Sequence, residues 1–251
     1  MNNRYGTLTS WVYNLDKPAG RSFGDIEFYQ ERLRDCRGPI LEPAVGNGRM
    51  LIPLLEAGLA VEGFDASEEM LVYCRDACRA RGLEPKITRQ TFEGFSYETR
   101  FEAIFIPLGS FQLITDLASA KIVLRRFHDH LLPGGRLMID LDPIGGFFSA
   151  DSVRSWTTPE GDLLTLTGTR VETDFVAQTT VSHLRYEHWR DTKLIDSELE
   201  LFSLRWWGVN EFVLSLTEAG FDEIVVSGNY QYGRFPRKDD DSISFEARRP
   251  M

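Results

Sequence analysis

Apolar positions in the first half of the chain fall into short continuous runs separated by longer amphipathic stretches. Pro39-Ile40-Leu41-Glu42 is a brief apolar run ending in an acid, and it predicts a first strand. From Asn47 to Ala57, Met50, Leu51, Leu54 and Leu55 recur on one helical face, and Gly58 ends the predicted helix. Leu59 to Phe64 predicts a second strand. Ser67 is placed to cap a second helix running to about Arg81, with Glu68 and Glu69 in its first turn, where the helix dipole favours acids. Gly82 closes that helix. Pro85 to Gln90 and Phe101 to Leu108 predict third and fourth strands. Ala118 to Leu132 predicts a helix stopped by Pro133-Gly134-Gly135, and Arg136 to Leu141 a fifth strand ended by Pro143.

Strands alternating with helices at this spacing require right-handed crossovers. They predict an α/β, doubly wound, mainly parallel sheet with helices on both faces. Ligands of such sheets sit at the carboxyl ends of the strands, beside the point where strand order reverses. The pattern changes after Pro143. Asp162 to Trp207 is rich in Thr, Val, Leu and Tyr with local alternation, which predicts two to four antiparallel strands. Val209 to Ala219 returns to helical spacing. Phe221 to Ser227 and Ser242 to Ala247 predict an antiparallel pair, joined through a polar loop at Gly233 to Asp241. The expected division is a helical lid over 1–38, a Rossmann-like unit over 39–143 and 208–251, and an inserted β layer over 144–207.

Composition narrows the function classes. The chain has 251 residues, 42% of them hydrophobic, enough for a sizeable core in one large domain. No apolar run approaches the roughly 20 residues of a membrane span, and the first ten residues lack the apolar core of a secretory signal. The expectation is a cytoplasmic protein with no membrane partner. The net charge is −10 and no Lys/Arg run exceeds two, which argues against nucleic acid as a partner. The three cysteines, Cys36, Cys74 and Cys78, form no disulfide framework. Cys74 and Cys78 share a helical face and are expected in a core. His128 and His130, near a helix end, are expected to be solvated. His183 and His188 should point to opposite faces of a strand. No metal constellation is visible.

The chemistry concentrates at Glu42-Pro43-Ala44-Val45-Gly46-Asn47-Gly48-Arg49. An acid at the end of the first strand enters a turn of small residues that leads into a helix. Small residues let a ligand approach the backbone. The acid would repel a pyrophosphate and suits a cationic or hydroxyl-rich ligand. A second acid, Asp65 in Gly63-Phe64-Asp65-Ala66-Ser67, ends the second strand, where a carboxylate can accept both hydroxyls of a ribose.

This run resembles motif I of class I S-adenosylmethionine-dependent methyltransferases, acid-x-Gly-x-Gly-x-Gly, with Ala44 in place of the first glycine. Ser67-Glu68-Glu69-Met70-Leu71 continues the likeness, and so do Phe101-Glu102-Ala103-Ile104 and Leu131-Leu132-Pro133-Gly134-Gly135. The likeness covers about Ser22 to Pro143. It implies a seven-stranded sheet and S-adenosylmethionine as cofactor, with Glu42, Ala44, Gly46, Gly48, Asp65, Ala66 and Met70 around it. It also implies Gln90, Thr91 and Phe92 near the adenine, Phe92 packing on the ring. Leu108 through Gln112 should line the floor under the methyl group, with Leu108 on the cofactor and Ser110, Phe111 and Gln112 toward the acceptor. Related enzymes close an N-terminal helix over the cofactor, which points to Tyr13, and to Arg21, for the methionine carboxylate.

Beyond Pro143 the chain is more loosely similar to small-molecule N-methyltransferases, whose antiparallel layer covers the substrate. Dimer formation is a second use of such a layer. Methyl transfer is an in-line displacement, so the protein must align the acceptor, exclude water and accept its proton. Asp142, at the end of the fifth strand, is a positional candidate for the base, as is Tyr230 or Tyr232. Tyr230 and Tyr232, in a late loop, are candidate acceptor contacts. Phe147-Phe148 and Trp206-Trp207 could wall a pocket or fill a core. The expected function is methyl transfer to nitrogen or oxygen of a small molecule. Two alternatives stand beside it: a nicotinamide-dependent oxidoreductase, disfavoured by Glu42 and by Leu51 at the third glycine's place, and a catalytically silent binding or dimerisation protein.

Overall fold

The computed structural model of the chain describes residues 5–148 and 151–251. Its larger sheet has seven strands: β1 (Ile40–Pro43), β2 (Val61–Asp65), β3 (Ile87–Arg89), β4 (Phe101–Ile106), β5 (Leu131–Leu141), β10 (Asp222–Gly228) and β11 (Ile243–Arg248). They lie in the order β10-β11-β5-β4-β1-β2-β3. β1 to β5 pair in parallel, and β11 runs antiparallel to both β5 and β10. Strand order reverses at β1 and β4, so the carboxyl ends of β1, β2 and β4 flank the switch point.

Apolar side chains cover both sheet faces. On one face α2 (Asp25–Leu33), α3 (Leu51–Glu56) and α4 (Glu68–Arg79) bury Tyr29, Leu51, Leu54, Leu71, Cys74 and Cys78. On the other, α5 (Leu117–His130) and α6 (Val209–Glu218) bury Leu124, Phe127, Phe212 and Leu216. Ser67 caps α4 by accepting the Met70 N–H at 3.1 Å. α3 is shorter than its apolar spacing predicts. Ala44, Gly46 and Gly48 all have positive φ (55°, 57° and 81°), so the chain is still looping until Leu51.

The second sheet is antiparallel and contains β6 (Ser152–Thr157), β7 (Leu163–Asp174), β8 (Thr179–Arg190) and β9 (Lys193–Arg205) in that order. β6 begins ahead of the stretch whose alternation predicted strands, because its residues are almost all exposed and carry little apolar pattern. α1 (Thr7–Asp16) lies on the inner face, where Leu8 and Val12 pack against Leu164, Leu166 and Tyr186.

His183 is exposed and His188 is buried, on opposite faces of β8. His128 and His130 are packed rather than solvated. His128 meets the edge of Phe221, and the His130 ring lies 4.7 Å from Phe95 with Nδ1 2.8 Å from the Arg126 carbonyl. Trp207 packs against Phe111 and Phe212 in the core, whereas Trp206 clusters with Phe147, Phe148 and the exposed Phe175. No helix is long and apolar enough to cross a membrane, and no metal-holding cluster occurs, among the described residues.

Candidate active site

A cleft opens where β1, β2, β3 and β4 end. Ala44 and Gly46 form one wall, Asp65, Ala66, Ser67 and Met70 the next, and Gln90, Thr91 and Phe92 a third. Tyr5, just ahead of α1, and Tyr13, on it, roof the cleft, and Ser110, Leu113 and Ile114 close it below β4.

Asp65 is the most fully built acid of the cleft. Oδ2 accepts the Gly46 N–H at 2.9 Å and Oδ1 accepts the Ser67 N–H at 2.8 Å. A carboxylate has about four acceptor positions, so two remain for a vicinal diol. Burial raises its pKa, and the backbone N–H donors oppose that rise. Glu42 is 2% exposed, does not line the cleft wall, and its Oε2 has no hydrogen-bond partner among the described residues. Burial lifts its pKa well above the usual carboxylate range, with Arg49 pulling the other way. A buried, unpaired carboxylate oxygen behind a loop of bare backbone fits a ligand that brings a cation or a donor. Tyr13 is pushed up to about 12 by burial, so its phenol stays protonated and donates.

Gln90 spends its amide internally, accepting the Ser96 N–H and donating to Thr88. Thr91 Oγ1 accepts from Gly94, and Phe92 leans edge-on to Phe64. Phe92 therefore presents an apolar wall, while Gln90 builds the loop.

Several expected site residues lie elsewhere. Gly48 is buried against α4, where a Cβ would meet Cys74 Sγ at 2.7 Å, so it serves packing rather than the cleft. Arg21 is exposed beside Phe23, and its carbonyl accepts from Arg49. Leu108 turns with φ 50° and gives its N–H to Asp140, off the cleft wall. Phe111 is core, packed on Trp207 and Phe212. Gln112 is wholly buried and clamps Asp142, giving Nε2–H to its carbonyl and accepting its N–H. Tyr230 donates to Asp140, and Tyr232 lies under Arg32, 3.6 Å from its ring centroid.

Asp142 itself stands just past β5 with its carboxylate close to the Gly109 turn, where an added Cβ would sit 2.9 Å from Oδ2. Surrounding protein raises its pKa, and Lys17 on the lid opposes the rise. Asp140, two residues earlier, carries more interactions than any residue singled out in that strand. Its carboxylate accepts from Tyr29, Ser244, Leu108 and Tyr230, and burial pushes its pKa up to about 6. The glycine loop also grips the N-terminal segment. Asn47 donates to Asn14 and to the Lys17 carbonyl, and Arg49 forms a buried ion pair with Asp25.

Residues 40–135 match a family described as methyltransferase domain. The matched residues thus carry a methyltransferase domain, and the match supports the likeness to class I S-adenosylmethionine-dependent methyltransferases. Over 138 residues the chain is 29% identical to a glycine/sarcosine N-methyltransferase of Halorhodospira halochloris, a match covering 54% of this chain and 51% of the relative. It thus spans about half the length of that curated relative. Among solved structures, an S-adenosylmethionine-dependent methyltransferase from Clostridium acetobutylicum matches with TM-score 0.76 and 16% identity, over 96% of this chain and 98% of that one. A sugar N-methyltransferase from Streptoalloteichus matches with TM-score 0.75 and 18% identity, over 96% and 92%. An amino pentose methyltransferase from Micromonospora echinaspora, solved with S-adenosylmethionine bound, matches with TM-score 0.70 and 18% identity, over 99% of each chain. These likenesses show a fold shared with the three solved structures.

Proposed function

We propose that this chain binds S-adenosylmethionine in the cleft and transfers its methyl group to a nitrogen of a small molecule held at Asp142. The observation that carries the reading is the pair of carboxylates at adjacent strand ends. Asp65 faces the cleft with acceptor positions to spare, and Glu42 lies behind the glycine loop with an unpaired oxygen. That arrangement favours a ribose diol and an ammonium and opposes a pyrophosphate.

When bound, the cofactor supplies a methyl group activated by its positive sulfur. The chain's part is alignment, exclusion of water and proton transfer. Asp65 holds the diol. The protonated Tyr13 faces the amino-acid end, Glu42 adds negative charge from behind the glycine loop, and Phe64 and Phe92 form the apolar wall for the base. Asp142, fixed through its backbone by Gln112, attracts an ammonium and takes the proton an amine must lose. The names of the relatives, which include glycine, sarcosine and sugar N-methyltransferases, support nitrogen and a small acceptor.

The second sheet supports a further reading, a homodimer. Val153, Thr167, Arg185 and Leu199 stand in register across its outer face, and Val153 and Leu199 are exposed. Sedimentation at micromolar concentration tests it, and a monomer rejects it.

Calorimetric titration with S-adenosylhomocysteine and, separately, NADH tests the cofactor. Binding of the first alone is expected. Binding of NADH alone favours an oxidoreductase, and binding of neither favours a silent protein of this fold. Incubation with S-adenosylmethionine and glycine, sarcosine or an amino sugar, followed by mass spectrometry, tests the acceptor class.

A further inference from the structure

α1, which roofs the cleft, begins without a cap of its own. Its N-cap residue is Gly6, which has no side chain to accept from the first turn. The acceptor comes from the second sheet instead. Glu198 on β9 takes the Leu8 N–H on Oε2 at 2.9 Å and the Thr9 hydroxyl on Oε1 at 2.8 Å. Its neighbour Glu200 accepts the Tyr5 N–H at 3.4 Å. The absence of a Cβ at position 6 is what allows this approach, since a Cβ there would lie 2.5 Å from Glu198 Oε1. The carboxylate also sits at the positive end of the α1 dipole. At its other end α1 is tied to the same sheet, because Asp16 accepts from Arg154 and Trp156 of β6.

We infer that Glu198 is a positioning residue for cofactor binding, a carboxylate of the inserted sheet that caps the lid helix and so couples the acceptor-side layer to the cofactor cleft. The inference rests on the reading of the cleft given above. Tyr5 precedes α1 and Tyr13 lies on it, and both line the cleft. Loss of the cap frees the first turn and lets both rings leave the site. A shift of the sheet on acceptor binding is felt at the cofactor through the same two hydrogen bonds. By linkage, cofactor binding then strengthens acceptor binding by the same factor.

The test combines hydrogen exchange of the α1 amides, read without ligand, with calorimetry using S-adenosylhomocysteine. Glu198→Ala is expected to speed exchange at Leu8, Thr9 and Ser10 and to weaken S-adenosylhomocysteine about fivefold, the equivalent of one helix cap. Glu172→Ala, an exposed change on the same sheet, leaves both unchanged. Gly6→Asp separates this from a general structural role. In the native background its side chain collides with Glu198 and weakens binding. In the Glu198→Ala background it caps the helix locally and restores affinity to within about twofold. Unchanged affinity in Glu198→Ala, or equal harm from Gly6→Asp in both backgrounds, overturns the inference. Failure of the native chain to bind S-adenosylhomocysteine overturns the reading of the cleft itself, and the coupling with it.

Discussion

The two sides of this site are assembled in different ways. On the cofactor side the parts are close in sequence. Gly46 and Asp65, joined across the cleft floor, are 19 positions apart, and Ser67 and Asp65 only two. On the acceptor and lid side the parts are remote. Tyr29 meets Asp140 from 111 positions away, Asp16 meets Arg154 from 138, and Leu8 meets Glu198 from 190. The first side is a local turn between two parallel strands, so it forms whenever those strands pair. The second exists only when the lid, the β5 end and the antiparallel sheet are all docked. Changes on the remote side can therefore reach the cofactor cleft through the helix that Glu198 caps, while the Gly46–Asp65 turn stands by itself.

The sharpest way to break that comparison is to strike one acid on each side. Asp142→Asn keeps the shape but removes the charge that attracts and deprotonates an amine. Methyl transfer is expected to fall about a hundredfold or more, the usual loss for a positioned base, while S-adenosylhomocysteine binds as before. A parallel loss of cofactor affinity in calorimetry would show that the two sides are not separable. Asp65→Ala reverses the pattern. It strands the Gly46 and Ser67 N–H donors and removes the diol acceptor, so cofactor affinity should fall by about 1–3 kcal/mol. Unchanged affinity removes Asp65 from the site.

The same contrast explains what could be read from residue order alone. Glu42, Asp65 and the loop between them were legible because motif, turn and strand ends all lie within one short stretch. Gly48 lies in the expected loop, and a Cβ there would meet Cys74. Spacing shows that a small residue is needed, not whether ligand or Cys74 lies above it. Phe111 and Gln112 follow the fourth strand as expected, yet turn inward, since an apolar ring and an amide with two internal partners are satisfied better by the core. Asp140 had a signal that went unused. An acid inside Leu137-Met138-Ile139-Asp140-Leu141 must be buried and must therefore gather donors. Glu198 had none, since nothing near β9 foretells a helix start at the other end of the chain.

Asp140 belongs to the remote side, where it ties Tyr29 of α2 to β5, and its protonation provides a graded probe. Its folded pKa is about 6, against about 3.9 for an unperturbed aspartate. The folded chain thus holds this proton more tightly than the unfolded chain. Folding takes up a proton between these values, and stability falls as pH rises from about 4 to 6. Asp140→Asn cannot titrate. The native chain should lose about 2 kcal/mol relative to this variant across that window, then run parallel to it at higher pH. Denaturant unfolding at several pH values measures the difference. Glu42, Asp65 and Asp142 shift in the same direction but occur in both chains, so they cancel. A flat difference would mean that the four donors around Asp140 hold its charge as well as water does.

The mildest change bears on the cofactor side alone. Ala44 occupies the position where the methyltransferase motif has its first glycine, and its φ is 55°. The loop keeps its left-handed turn, and the alanine Cβ bears the steric cost, about 1 kcal/mol for a residue in that conformation. Glycine relieves this strain but gives the unfolded chain more freedom, which takes back part of the gain. Ala44→Gly should therefore stabilise the fold by only about 0.5 kcal/mol. Thermal unfolding should show a small rise, and S-adenosylhomocysteine affinity should hold, because Gly46 still faces Asp65 in the same geometry. A fall in stability would mean that Ala44 contributes packing in the cleft wall beyond its backbone. The methyl group would then be part of how this loop meets its ligand, rather than a tolerated departure from glycine.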